Sequence, residues 1–379
     1  MFRIEMLPAA QGDCLLISYG KPDAIHYILI DGGPYYFYAD KDKKKLGKRE
    51  TLTKCMIELS KKEVELDLMV VTHIDGDHIE ALVKWMGSAP NMLPIKDFWF
   101  NGRRQLEPGW LGVQEGEFLG KLIEKYDIPW NDKFDGHAIV RNSEGVVEKE
   151  LDGGMKLTIL SPTAEELVKL HDEWDEVLEK ENLDTDDPEA ILERLDHNAR
   201  LKPEPIPDGW LGLDIDQLAD SEFKEDNATP NGSSIAFLAE YEGKSALFTG
   251  DAHPSVLAAG IRQLLEDRNL SKLALDGFKI PHHGSKNNIN SELLQLLDCR
   301  RYLISTDGSY YHHPDQEAIA RILKYGTREF GNDSYEKAEL CFNYQKPSVS
   351  VWDDSDLKYN YNYETHFPKV PGDSLVIDL

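Results

Sequence analysis

Two imidazoles and two carboxylates fall within six consecutive residues, His73-Ile74-Asp75-Gly76-Asp77-His78. Four such groups crowded onto one turn are costly unless a cation holds them together. The spacing H-x-D-x-D-H therefore points to a metal cluster, and away from a polar turn with one capping Asp and two exposed histidines. Groups of the same chemical kind recur along the chain, each beside glycine or proline. They are Asp13 after Gly12, Asp31 before Gly32 and Gly33, Asp251 after Gly250, His282 and His283 between Pro281 and Gly284, and His313 before Pro314.

The elements that must position them can be read from periodicity. The aliphatic run 66–71 reads as a short buried strand that stops where the metal-type side chains begin. Beyond Asp77 the apolar residues Ile79, Ala81, Leu82, Trp85 and Met86 take helical spacing, so the cluster sits on a strand-to-helix turn with Gly76 expected to supply backbone freedom. Strands are expected over 2–7, 14–19, 26–30, 98–100, 155–160, 234–241, 245–248, 273–280 and 302–305, with further strand-like sequence from 338 to a closing run at 375–377. Helices are expected over 51–62, 115–126, 255–265 and 315–325. Strand after strand ends in a loop carrying Asp or His. Recurrence of that kind gathers residues distant in sequence at one edge of a sheet system, where α/β proteins bind ligands.

Composition excludes some classes and leaves others. The net charge is -27, from 69 acidic and 42 basic residues, which argues against broad electrostatic affinity for nucleic acid. It leaves room for a polyanionic substrate if positive charge is local. One basic run, residues 41–49 with Lys43, Lys44 and Lys45 at its centre, follows the Asp31-Gly32-Gly33 turn; Arg103 and Arg104 follow the aromatic strand at 98–100. These are the candidate substrate-phosphate contacts, although a charge run is most often a solvated face. The four cysteines, Cys14, Cys55, Cys299 and Cys341, form no CxxC pair and read as buried free thiols, as expected of a cytoplasmic protein. No apolar run approaches a membrane span and no signal peptide is read at the start. Residues 163–226 turn acidic and helical and read as an insertion, a lid or a docking arm for a protein partner, within one domain spanning 1–379; residues 335–379 read as a strand-rich extension of that domain.

At this point the motifs resemble those of metallo-β-lactamase-fold hydrolases, in particular the ComEC-type branch. The signature H-x-[HD]-x-D-H matches residues 73–78, with the ComEC-type Asp at Asp75. T-G-D matches Thr249-Gly250-Asp251, P-H-H-G-S matches residues 281–285 through Ser285, and N-x-x-S matches Asn231 and Ser234. The early G-D and D-G-G elements match Gly12-Asp13 and Asp31-Gly32-Gly33, and the late I-S…H-P element matches Ile304-Ser305 and His313-Pro314. The resemblance covers the chain from Met1 to about Tyr325. It implies an α/β (α+β) fold of the four-layer αββα kind, two sheets back to back with helices outside and the site at one edge.

The same resemblance implies roles. His73 and Asp75 would hold one divalent ion, Asp77 and His78 a second; Asp251 would bridge both, and one of His282 and His283 would complete the second set, His282 being favoured. Other branches place a histidine where Asn231 falls, which implies a weaker or differently ligated first ion. Exchanging imidazole for carboxylate and amide oxygen hardens the site and moves preference from zinc toward manganese or a mixed pair. Two ions about 3.5–4 Å apart clamp an in-line displacement and lower the pKa of bound water to about 7. Asp77 or Asp251 would orient the resulting hydroxide. His313 would face the substrate phosphate or protonate the leaving group, although on the residues alone it is equally a loop histidine before a proline. Asn231 and Ser285 would line the substrate side, and Asp13, Asp31 and Gly32 would support the site. The expected activity is a phosphodiesterase, most readily a nuclease. The competing class is a hydrolase of a small ester, lactone, thioester or phosphodiester metabolite, which the acidity of the chain favours.

Overall fold

The computed structural model describes residues 1–34, 51–88, 93–106, 114–181, 213–309, 311–326 and 337–379. The basic run 41–49, including Lys43, Lys44 and Lys45, and residues 182–212 of the acidic stretch lie outside them.

Side-chain alternation along the strands builds the layers. In β3 (Ala24–Ile30), Ile28 and Ile30 point into one core while Leu29 joins another. A strand with both faces buried reads as an unbroken apolar run, as here. β3 belongs to a six-stranded sheet with β1 (Phe2–Met6), β2 (Leu15–Lys21), β4 (Leu68–Val70), β5 (Phe98–Trp99) and β16 (Leu375–Asp378), in the order β16-β1-β2-β3-β4-β5. The second sheet has eight strands: β6 (Val147–Glu150), β7 (Lys156–Ser161), β8 (Ala236–Tyr241), β9 (Lys244–Phe248), β11 (Gly277–Lys279), β13 (Arg301–Ile304), β14 (Ala338–Phe342) and β15 (Tyr363–His366). Their order is β15-β14-β13-β11-β9-β8-β7-β6. A small parallel pair joins β10 (Leu273–Leu275) to β12 (Leu297–Cys299).

The core between the sheets takes Ile4, Ile17 and Val70 from the first and Leu157, Phe237, Phe248 and Leu303 from the second. The outer face of the first sheet packs Leu29 and Met69 against α1 (Thr51–Lys61), α2 (Gly76–Ser88) and the helix Gln114–Lys125. The outer face of the second packs Leu238, Leu247 and Phe278 against the helices Pro254–Arg268 and Gln316–Tyr325. Helix, sheet, sheet, helix is the four-layer αββα sandwich expected from the resemblance, the architecture of the metallo-β-lactamase fold. The two terminal segments close it: β16 pairs antiparallel with β1, and β14 and β15 extend the second sheet in parallel.

Parallel pairing sets the site. β3 and β4 run parallel, and so do β9, β11 and β13, so within each sheet the carboxyl ends fall on one side. Ile235 N–H donates across to the Thr72 carbonyl, which joins the strand ends of the two sheets, and His282 N–H donates to the Gly250 carbonyl, which ties the ends of β11 and β9 within the second. One expected strand is corrected. Residues 273–280 form two strands, because the Asp276 carboxylate turns aside to accept from Ser245 N–H and the Lys244 ammonium. Gly76 also differs from expectation. It lacks a positive φ and opens α2; a Cβ there would come within 2.7 Å of Glu80 Oε1, so what it supplies is space. The positive φ angles lie elsewhere in the site, at Asp31, Gly33, Gly250, His282 and His283.

Candidate metal centre

The Asp31-Gly32-Gly33 turn is the first support. Gly32 N–H donates to the His78 carbonyl and Ala81 N–H to the Gly33 carbonyl, so the turn lies directly against α2. A Cβ on Gly32 would meet Leu82 at 2.5 Å, which is why the close approach takes glycine. The buried Asp31 carboxylate then accepts from Thr72 N–H, from the Thr72 hydroxyl and from His78 Nδ1, each at 2.8 Å. On the other side of the site, Gly12 packs so tightly on the Asp77 backbone that a Cβ would fall 1.8 Å from its carbonyl oxygen.

Four histidines share one pattern. His78 gives its Nδ1 proton to Asp31, and His283 gives its own to the Ser305 carbonyl at 2.9 Å. His73 Nδ1 lies 3.0 Å from the Thr72 hydroxyl, which is itself committed to Asp31 as a donor and so accepts. His282 Nδ1 has Asn288 Oδ1 at 3.0 Å and Asp226 Oδ2 at 3.3 Å. With every Nδ1 protonated, the lone pairs are left on Nε2. All four Nε2 atoms surround one carboxylate, Asp251: at 3.4 Å for His78, 3.6 Å for His283, 3.7 Å for His282 and 3.9 Å for His73.

The donor set fits metal. His78 Nε2 and His283 Nε2 stand 3.2 Å apart, and two lone pairs at that distance repel unless a cation or a proton lies between them. His73 Nε2 and Asp251 Oδ1 are buried without any hydrogen-bond partner. Orphaned buried polar atoms of this kind call for an explanation, and two overlapping sets of donors supply it: His73, His78 and Asp251, and Asp13, His78 and His283. Within the second set, Asp13 is already neutralised by the Lys279 ammonium at 2.6 Å and lies 3.5 Å from His283 Nδ1, which makes it a support for that histidine. Asp75 approaches His73 Nε2 at 3.7 Å, and Asp77 approaches His283 Nε2 at 3.4 Å. With Asp13 set aside, His73, His78, His283 and Asp251 are the buried donors and Asp75 and Asp77 flank them, a set that suggests a binuclear site.

Electrostatics carry the same signature. Burial opposes charge on His283, but Asp251 and Asp13 outweigh it and raise its pKa to about 9. His78 is likewise raised well above the usual value, against burial, by Asp251 and Asp31. Burial and the neighbouring His78 lower His73 to about 3. Burial works to raise Asp251, but His78, His283 and His282 hold it well below the usual carboxylate range. The cluster thus draws in positive charge that protons supply in part and a divalent ion supplies in full.

The expected residues divide plainly. His73, Asp75, Asp77, His78, Asp251, His282 and His283 converge. Of the adjacent pair, His283 is the buried one, while the side chain of His282, the favoured ligand, is 26% exposed. Asn231 stands beside His282, with its Nδ2 3.4 Å from His282 Nδ1. Ser285 is buried and holds the turn, donating its N–H to the His282 carbonyl and accepting from Asn287 N–H. His313 reaches the outer edge: its ring packs edge-on to His282 at 5.4 Å and its Nδ1 lies 3.5 Å from Asp315. Arg103 approaches Glu117 at 3.9 Å in the short helix Arg103–Leu106, which also contains Arg104.

Sequence reasoning missed Thr72, Asp226, Lys279 and Asn288. Thr72 adjoins His73, and Lys279 is a lysine inside an apolar strand, two signals available in the sequence. Asp226 carried none, because it merges with the acidic stretch before it.

No family model matches the chain. It is 26% identical over 154 residues to ComE operon protein 3 of Bacillus subtilis (strain 168), a match that covers 38% of this chain and 19% of that protein. The chain therefore aligns with about a fifth of that relative's length. Among solved structures, human tRNase Z, short form, superposes with a TM-score of 0.37 and 11% identity, covering 100% of this chain and 99% of the other. Taken with the strand-end motifs and the four layers, the sequence match makes the chain a distant homologue of ComE operon protein 3 with the metallo-β-lactamase fold.

Proposed function

We propose that this protein is a binuclear metal-dependent hydrolase whose substrate is a phosphodiester, with nucleic acid as the polymer to test first. The observation that carries the metal centre is the single Asp251 carboxylate ringed by four imidazole Nε2 atoms within 3.9 Å. His73, Asp75 and Asp251 would hold one ion; Asp77, His78, Asp251 and His283 or His282 would hold the other. Divalent ions bound there supply Lewis acidity and a nucleophilic water at neutral pH.

The chain's own residues do the rest. Asp31 and the Ser305 carbonyl hold His78 and His283 in the tautomer that offers Nε2. Asp77, 23% exposed at its side chain, can orient a water toward substrate. Burial lowers the His313 pKa, so near pH 7 it is a neutral imidazole that meets the substrate by hydrogen bonding. The mixed oxygen and nitrogen donor set supports manganese or a mixed pair alongside zinc. The ComEC-type motif set and the basic run 41–49 favour a nucleic acid; the net charge of -27 favours a small phosphodiester, ester, lactone or thioester.

One assay separates these. Metal-stripped protein is reloaded with manganese, zinc or magnesium and offered single-stranded DNA, RNA and bis-p-nitrophenyl phosphate, with Asp77→Asn as the blank. Cleavage of polymer and model diester, both lost in the variant, is the expected result. Cleavage of the model diester alone assigns a small metabolite, and no cleavage with any ion removes the phosphodiesterase reading.

A further inference from the structure

Asp226 lies outside every motif named above, yet one of its oxygens gathers three side chains of the site. Oδ2 accepts from Asn231 Nδ2 at 2.6 Å and from Asn288 Nδ2 at 3.0 Å, and lies 3.3 Å from His282 Nδ1. Its other oxygen accepts from Ala228 N–H at 3.0 Å, which closes the turn leading to Asn231. Asn288 in turn donates to the Asp251 carbonyl at 3.2 Å, so the network reaches the central carboxylate's own backbone.

The geometry assigns Asp226 as the positioning residue for the exposed half of the metal centre, an assignment that rests on the metal-centre reading. Two consequences follow from one oxygen. Acceptance at His282 Nδ1, shared with Asn288 Oδ1, keeps the proton there and leaves the Nε2 lone pair facing Asp251 at 3.7 Å. Acceptance from the Asn231 amide nitrogen fixes which way that side chain is turned, and leaves its buried Oδ1 without a hydrogen-bond partner as an oxygen donor. The other histidines draw their acceptors from strand ends: Asp31, Thr72 and Ser305. His282 alone draws one from the stretch before the helix Thr229–Gly232. That stretch is itself tied down by Arg321, whose guanidinium donates to the Ser221 carbonyl and hydroxyl and to the Lys286 and Ile289 carbonyls. The position of residues 221–226 therefore sets the His282 side of the centre.

Asp226→Asn tests this as an isostere. Both Asp226 oxygens accept, so an amide must turn an NH2 either toward Ala228 N–H or toward the three partners, and one set of bonds is lost. Wild-type, D226N and D226A proteins are loaded with cobalt(II), and ion affinities are measured by calorimetry. Proton spectra of the cobalt forms record the hyperfine-shifted, exchangeable imidazole N–H signals, and a metal-free melting curve checks folding. The expected result is 10–100-fold weaker binding of one ion, with the other retained and one exchangeable imidazole signal lost. Wild-type affinity and a full set of signals in D226N would overturn the assignment while leaving the metal centre standing. Equal weakening of both ions with a lowered melting temperature would reduce Asp226 to scaffold and overturn it too. If the wild-type protein binds no cobalt, the metal-centre reading fails, and this assignment falls with it.

Discussion

A carboxylate ringed by four imidazoles is a poor arrangement for a protein that binds nothing there. Asp251 is 2% exposed and its Oδ1 has no hydrogen-bond partner, so its burial is offset only by positive charge drawn from its neighbours. Asp251→Asn should therefore weaken both ions, by at least about 100-fold, because the loss of a direct ligand exceeds the 10–100-fold seen for supporting residues. Ion stoichiometry after equilibrium dialysis measures it, and retention of two ions would remove Asp251 as the bridge. The pH dependence follows from His283. Its folded pKa of about 9 lies above the ordinary 6.5, so the metal-free protein gains stability from that proton below pH 6.5 and loses it as pH rises through 9. The contribution is on the order of 3 kcal/mol. Ions compete with that proton, so apparent affinity should climb over the same interval. Chemical denaturation of metal-free protein at pH 6, 7.5 and 9 checks the first part, and a metal titration at the same values checks the second.

The elements hold these residues through contacts that the sequence showed unevenly. The H-x-D-x-D-H turn was legible because four ligand types stood in six places, and the strand-end pattern placed Asp31, Asp251, His282 and His283 on one edge. Gly12 was legible only as half of a G-D pair; its reason is the Asp77 backbone packed against it. The Asp13–Lys279 pairing was not legible, although each residue stood out alone, since the partners come from different sheets: Asp13 from the β1–β2 loop and Lys279 from β11, both buried and 2.6 Å apart. It pins the sheets together immediately beneath His283. Lys279→Met leaves Asp13 charged and unpaired inside, which should cost about 3–5 kcal/mol. Asp13→Leu combined with Lys279→Met should recover much of that loss in folding stability without restoring ion affinity, because His283 still lacks its support. Urea unfolding of the single and double variants, read beside cobalt binding, decides it; a double variant no more stable than Lys279→Met would show that packing and not charge makes the junction.

At the scale of the whole molecule the tension lies between a net charge of -27 and a polyanionic substrate. Long-range attraction cannot bring nucleic acid to such a surface, so any polymer binding must come from local positive charge at the site edge. The ions contribute some of it. The densest protein source is the run 41–49, whose relation to the site rests on chain order alone: it follows Asp31-Gly32-Gly33, and that turn packs against α2. Replacing Lys43, Lys44 and Lys45 together by Ala should raise KM for a single-stranded oligonucleotide and leave turnover of bis-p-nitrophenyl phosphate unchanged. If all three contact phosphates, the slope of log KM against log salt should flatten by about 2, at roughly 0.7 per contact on a single strand. Equal loss of turnover on both substrates would show that these lysines support the centre and do not grip a polymer. An unchanged oligonucleotide KM and slope would leave the run as solvated surface and shift the reading toward a small phosphodiester, which an acidic protein can admit without any basic track.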